Sequence, residues 1–336
     1  MPPLTFEDKY QLMDRIGQGA QSVVFSAVCM QTRRSVAVKE IKGQNLHQSD
    51  GQELIPVSRL AVNFREIAVL QRLGSHSNLV ELIEVIFDEK SLYIVMDHCG
   101  INLSEYIVCQ TRLRPAGIPL KRIQAIAIQI LSGLAFVHSN LVIHRDIKPN
   151  NIFVSSPLNI KIGDFGLSKA FTFPPAPETL NVASLWYRSP EAILKCGYDV
   201  GLDLWSVGCV IAELAIGIPL FLESSEFGLL MRIFQTLGTP SKKAWPVLSK
   251  ATNYSDLWPQ WNPEERIASF RQFLQGKLGF DGSDLVIAFL QFDSNSRPRC
   301  KEALSHAFFQ NFHEPPLLNK QIFSGTSLPE DIFASV

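Results

Sequence analysis

The 336 residues include 31 lysines and arginines against 32 aspartates and glutamates, a formal charge of −1, and 46% are hydrophobic. That charge balance excludes a general nucleic-acid or membrane-surface binder, which needs a basic excess, and the apolar share excludes a disordered chain. The length suits two lobes with a sizeable core.

Six cysteines (Cys29, Cys99, Cys109, Cys196, Cys209 and Cys300) form no Cys-x-x-Cys pair, so the expectation is reduced thiols in a cytoplasmic or nuclear protein, without a zinc site. The stretch Met1–Asp8 has neither the basic region nor the apolar run of a signal peptide.

In chain order, Val23–Val28 and Ser35–Lys39 alternate as strands around the polar turn Gln31–Arg34. Residues 43–58 are polar and mixed, the composition of a loop. Phe64, Ile67, Ala68 and Leu70 recur at helical spacing between Val62 and Leu73, and Leu79–Phe87 and Leu92–Met96 predict two more strands. After Cys99-Gly100 helical periodicity takes over, over 103–109, 121–139, 203–217, 226–237, 264–275 and 284–291. Two short strand-like pieces, Ile152–Val154 and Ile160–Ile162, interrupt it. The apolar stretches Ile123–Val137 and Leu202–Leu222 carry polar residues and fall short of the ~20 clean apolar residues of a membrane span, so they read as buried helices. From about residue 314 the chain is rich in proline, serine and charge. The fold class is therefore α+β: a small antiparallel sheet lobe with one helix (10–98), then a larger, mainly helical lobe (99–310), then a tail (311–336).

Four stretches carry chemistry. Ile16-Gly17-Gln18-Gly19-Ala20-Gln21-Ser22-Val23-Val24 puts glycines between two strands, where the backbone can approach phosphates; Ser22 stands where a third glycine is usual. A hairpin setting disfavours a dinucleotide-binding turn, which leads from strand to helix. Val36-Ala37-Val38-Lys39 places a lysine on an apolar strand. His144-Arg145-Asp146-Ile147-Lys148-Pro149-Asn150-Asn151 gathers a carboxylate, two cations and an amide into one short run. Phosphoryl transfer needs that set: a carboxylate to take the hydroxyl proton, a cation for γ-phosphate charge, and an amide oxygen for magnesium. Asp164-Phe165-Gly166 follows a strand thirteen residues after Asn151, and a carboxylate there can hold a magnesium bridging the phosphates.

In this order and spacing, the four stretches resemble the eukaryotic protein kinase family over roughly residues 10–310. The resemblance implies the bilobal kinase fold and ATP and Mg2+ as cofactors. Lys39 is then expected on the α/β-phosphates and paired with Glu66, Asp146 as the catalytic base, and Lys148 on the γ-phosphate. A lysine at that place is similar to serine/threonine kinases. Asn151 and Asp164 become the metal ligands. Residues Ile16 to Val24 cover the nucleotide. Met96 borders the back of the adenine pocket, Asp97, His98 and Cys99 form the hinge, and Ala37 and Phe153 sandwich the ring, Phe153 being equally readable as core. Ser189-Pro190-Glu191 looks like the family's Ala-Pro-Glu motif, with Glu191 paired to Arg297, and Asp203 is expected to brace the catalytic loop.

Leu185-Trp186-Tyr187-Arg188-Ser189-Pro190-Glu191, Asp203–Cys209 and Phe234–Pro240 resemble the cyclin-dependent branch. In that register Thr179 falls at the activating phosphosite, with Arg65, Arg145 and Lys169 as its clamp; an ordinary loop threonine is the alternative. Arg188 suggests a proline-directed preference, although Ser184 replaces the usual threonine. Ala20-Gln21 replaces an inhibitory Thr-Tyr pair. Leu60–Glu66 stands in place of the cyclin-docking motif, so a cyclin partner and a cyclin-free enzyme of the CDK-activating or cell-cycle-related type both stay open, as does a nucleotide-binding pseudokinase. The partners implied are protein substrates, with neither nucleic acid nor membrane.

Overall fold

The computed structural model describes residues 5–18, 22–42, 57–88, 91–170, 185–197, 199–251, 254–255, 257–310 and 312. A short helix α1 (Phe6–Lys9) leads into strands β1 (Tyr10–Gln18), β2 (Val23–Cys29) and β3 (Ser35–Lys42). Helix α2 (Val57–Leu73) follows, then β4 (Leu82–Phe87) and β5 (Ser91–Asp97). The five strands form one antiparallel sheet in the order β1-β2-β3-β5-β4.

Strand periodicity divides β3 between two faces. Val36 and Val38 pack with Val95, Phe6 and Tyr10 in a small core on the outer face. Ala37 and Lys39 therefore point the other way, toward the second lobe. The ring of Phe6 stacks on Tyr93 at 3.9 Å, and Lys9 and Tyr10 both donate to Glu84, so α1 straps that outer face.

The second lobe opens with β6 (Ile101–Asn102), α3 (Leu103–Leu113) and α4 (Leu120–Ser139), followed by β7 (Val142–Ile143), β8 (Ile152–Ser155), β9 (Asn159–Ile162) and β10 (Lys169–Ala170). Helices α5 (Pro190–Ile193), α6 (Gly201–Ile216), α7 (Glu226–Leu237), α8 (Pro263–Phe289), α9 (Cys300–Leu304) and α10 (Ala307–Gln310) complete it. Helix α6 is buried without interruption from Gly201 to Leu214, including the polar Asp203, Ser206 and Glu213, and packs against α8 and α4. Helix α4 is long and apolar enough to cross a bilayer, yet Ile126, Ile130, Leu134 and Val137 are fully buried in the same core.

Several boundaries differ from expectation. Leu79–Glu81 is not part of β4: Leu79 makes one isolated parallel bridge to Ile162, which docks this segment on β9. Helix α2 begins at Val57, inside the stretch read as loop. The helices expected at 264–275 and 284–291 share the range Pro263–Phe289, written α8, and Gly279, with φ of 73°, leaves helical geometry between them. That left-handed backbone is one glycine adopts at little cost.

Candidate active site

Lys39 sits between Val24 of β2 and Ile94 of β5 in register. Its Nζ donates to Glu66 Oε2 of α2 at 2.6 Å. Burial opposes the ammonium charge, but the Glu66 and Asp164 carboxylates outweigh it and hold the lysine above its ordinary pKa. Lys39, Glu66 and Asp164 line one cavity of about 430 Å³ between the lobes, together with Ile16, Gly17, Gln18, Ser22, Val24, Ala37, Met96, Asp97, His98, Cys99, Asn151 and Phe153. Val23, one residue from Val24, points to the opposite face of β2 and does not line the cavity, a correction that follows from the two-residue period of a strand. Gly19, Ala20 and Gln21 lie outside the described residues.

The loop between β7 and β8 is held from below. Asp203 of α6 is wholly buried and accepts from His144 N at 2.9 Å and Arg145 N at 2.8 Å. Arg145 has a positive φ of 68°, a conformation costing about 1–3 kcal/mol that persists only where surrounding bonds impose it. The two backbone bonds to Asp203 do so. The next residue, Asp146, is buried, and its Oδ2 accepts from Lys148 Nζ at 2.8 Å and Asn151 Nδ2 at 2.9 Å. Asn151 therefore turns its amide nitrogen to Asp146, which leaves Oδ1 as the atom able to meet a cation. Asp164, also at positive φ, is exposed on the cavity wall while Phe165 beside it is buried. Carboxylate and amide oxygens on one wall are the hard donors that magnesium takes.

At the other end of the cavity the Asp97 carboxylate faces away from it. It accepts from Glu81 N at 2.7 Å and Lys161 Nζ at 2.6 Å, so the Asp97 side chain is engaged and its backbone groups are left for a ligand. Val80, Gly100, Asn102 and Asn150 also line the cavity; Asn150 belongs to the His144–Asn151 run, and no motif pointed to the other three. Val80 is brought there by Gly163, where an added Cβ would lie 2.7 Å from the valine side chain.

The segment after Asp164 collects cations. Arg65 donates to the Gly166 carbonyl and Arg145 to the Leu167 carbonyl, so two guanidiniums meet neighbouring residues; Lys169 follows in β10, paired with Ile143. Thr179 and Ser184 lie outside the described residues. Beyond them, each residue of Trp186-Tyr187-Arg188 is anchored on the helical lobe: Trp186 donates to the Glu223 carbonyl, Tyr187 to the Glu213 carboxylate, and Arg188 pairs with Glu226 at the start of α7. Glu191 accepts both guanidinium nitrogens of Arg297, at 2.6 and 2.8 Å, in the expected buried pair.

The family model for the protein kinase domain matches residues 10–309. The chain is also 36% identical over 307 residues to Cyclin-dependent kinase 1 of Encephalitozoon cuniculi (strain GB-M1), covering 90% of this chain and 97% of that protein. The chain belongs to the protein kinase family, in its cyclin-dependent branch. The bilobal α+β kinase fold is the one described above, and the enzyme class is a phosphotransferase acting on protein. In this kinase the Gly-rich hairpin, strand lysine, catalytic loop and Asp-Phe-Gly run, scattered over some 150 residues of sequence, converge on one cleft.

Proposed function

We propose that this kinase transfers the γ-phosphoryl group of ATP to serine or threonine hydroxyls of protein substrates. The observation that carries the proposal is the convergence of Lys39, Asp164 and Asn151 on one interlobe cavity, with Asp146 bonded to Asn151 at its edge. Lys39 holds the α/β-phosphates, and its pairing with Glu66 fixes where the ammonium sits. Asp146 orients the acceptor hydroxyl and takes its proton as the oxygen attacks γ-phosphorus in line. The bond to the β-phosphate oxygen breaks and ADP leaves. Lys148, already beside Asp146, offsets charge on the transferred group. Asn151 and Asp164 are the residues that would hold Mg2+, which neutralises charge on the phosphates. Catalysis on this reading is positioning and electrostatics without a covalent intermediate.

The Leu185–Glu191 run supports a proline-directed preference, and the cations Arg65, Arg145 and Lys169 support a phosphate on Thr179. The Lys39–Glu66 pair, closed in the chain by itself, supports activity without a cyclin. The six free thiols fit a cytoplasmic or nuclear setting. Assaying purified chain with and without an added cyclin, on peptides differing only in Ser-Pro against Ser-Ala, tests these points together. A clear preference for Ser-Pro and equal rates without cyclin are expected. Equal use of the two peptides removes the proline preference, and silence without cyclin removes the cyclin-free reading.

A further inference from the structure

Asp203 makes a third bond, on the side away from the catalytic loop. His138, in the last turn of α4, places Nε2 at 2.8 Å from Asp203 Oδ2, the same oxygen that holds His144 N. The other ring nitrogen of His138, Nδ1, lies 3.8 Å from the sulfur of Cys300, the first residue of α9. Cys300 is 3% exposed, so neither solvent nor an oxidant reaches its sulfur readily. We propose that Cys300, His138 and Asp203 form a buried hydrogen-bonded chain in which the thiol fixes the tautomer of His138 and His138 in turn positions the catalytic loop.

The direction of each bond follows from chemistry. Burial would raise the Asp203 carboxyl, but the hydrogen bonds from His138 and from the His144 backbone N–H hold it below the ordinary carboxylate range. It is therefore ionised, an acceptor only, and Nε2 of His138 must carry a hydrogen. Burial and the Asp203 charge push the Cys300 thiol up to about 12, so it keeps its proton and has one to give. The thiol donates to Nδ1, Nδ1 accepts, and Nε2–H donates to Asp203. A neutral imidazole has one donor and one acceptor nitrogen, and the bond on one side selects the tautomer that serves the other. Without the thiol, Nδ1 loses its donor and the Asp203 bond alone keeps the proton on Nε2; the other tautomer would turn a lone pair toward the Asp203 carboxylate. Repulsion there would disturb the oxygen that fixes His144 N, two residues before Asp146.

His138 and Cys300 touch no reacting atom and are positioning residues; the expected kinetic effect rests on the catalytic reading of Asp146 proposed above. The test combines ring-nitrogen NMR of full-length protein labelled with ¹⁵N-histidine and steady-state kinetics. Wild type is expected to show His138 as the Nε2–H tautomer at neutral pH. Cys300→Ala should lose that single tautomer and lower kcat by about three- to tenfold, the size of one hydrogen bond, with KM for ATP unchanged. Cys300→Ser, which keeps a donor, should restore both. An Nδ1–H or doubly protonated His138 in wild type overturns the proposal, as does a Cys300→Ala protein matching wild type in both readouts. The NMR result does not depend on turnover, so an inactive wild type would count against the proposed function while the spectrum still decides the chain.

Discussion

Lys39 Nζ and Glu66 Oε2 lie 2.6 Å apart, joining β3 to α2 across the roof of the cavity. Both side chains are largely shielded from water, at 15% and 3% exposure, so neither charge tolerates loss of the other. The position of α2 is thus coupled to the position of the nucleotide-facing ammonium. Lys39→Met should lower kcat/KM for ATP by about 10²-fold or more, as removal of a preorganised charge does. Glu66→Gln should give a smaller loss, seen mainly as weaker ATP binding. Steady-state kinetics over an ATP titration checks both, and a Lys39→Met enzyme with full turnover would remove the role assigned to the lysine.

Arg297 is 1% exposed and spends its guanidinium on Glu191, on the carbonyls of Gly201, Gln291 and Phe292, and against the Trp205 ring at 5.1 Å. Arg297→Ala leaves the Glu191 carboxylate buried without its cation. The expected cost is about 3–5 kcal/mol in denaturant unfolding, with little rescue by Arg297→Lys, which lacks the two-pronged geometry. A loss below about 1 kcal/mol would show that the pair contributes little to the helical lobe.

Glu213 offers a pH signature. It is buried on α6, and the groups facing it are the Tyr187 hydroxyl and the Cys209 thiol. Burial raises its carboxyl to about 7, with the Tyr187 bond opposing only in part. A folded-state pKa above the unfolded one contributes stability that is full at low pH and fades as pH rises through the folded value. Between about pH 4.5 and 7 this contribution disappears, because the carboxyl ionises in the unfolded chain while burial keeps it protonated in the folded one. Glu213→Gln keeps an acceptor for Tyr187 and cannot ionise. Its melting temperature should exceed that of wild type at pH 8, by an amount on the order of 2–3 kcal/mol in stability, and the gap should close at pH 5. Parallel melting curves at both pH values would show that Glu213 is not the titrating group.

The chemistry of the cleft was legible because motif spacing identifies Lys39, Asp146, Asn151 and Asp164 without any knowledge of packing. Glu191 with Arg297, and Asp203 under the catalytic loop, followed from the same register. What stayed hidden depends on contacts distant in sequence. Val80 reaches the cavity only because Leu79 bridges Ile162 and Gly163 admits the valine side chain, and an apolar pair in that place reads equally well as strand. Val23 and Val24 carry identical side chains, so composition cannot say which faces the nucleotide. Only Val57 and Ser58, the first two residues of α2, fall in the polar, mixed stretch 43–58, so its composition hid where the helix starts. The break expected between 275 and 284 falls at Gly279, whose backbone leaves helical geometry. The Cys300–His138 contact joins residues 162 apart in sequence, beyond the reach of any local pattern.

The most direct test is phosphoryl transfer by the purified chain and by its Asp146→Asn variant, with Mg-ATP and a serine/threonine peptide, alongside ATP affinity measured separately. The expected result is steady transfer by wild type, a fall of about 10²–10⁴-fold in kcat for the variant, and ATP affinity nearly the same in both. Tight ATP binding with no transfer by wild type, or a variant as fast as wild type, would contradict the assignment of this cleft as a phosphoryl-transfer site.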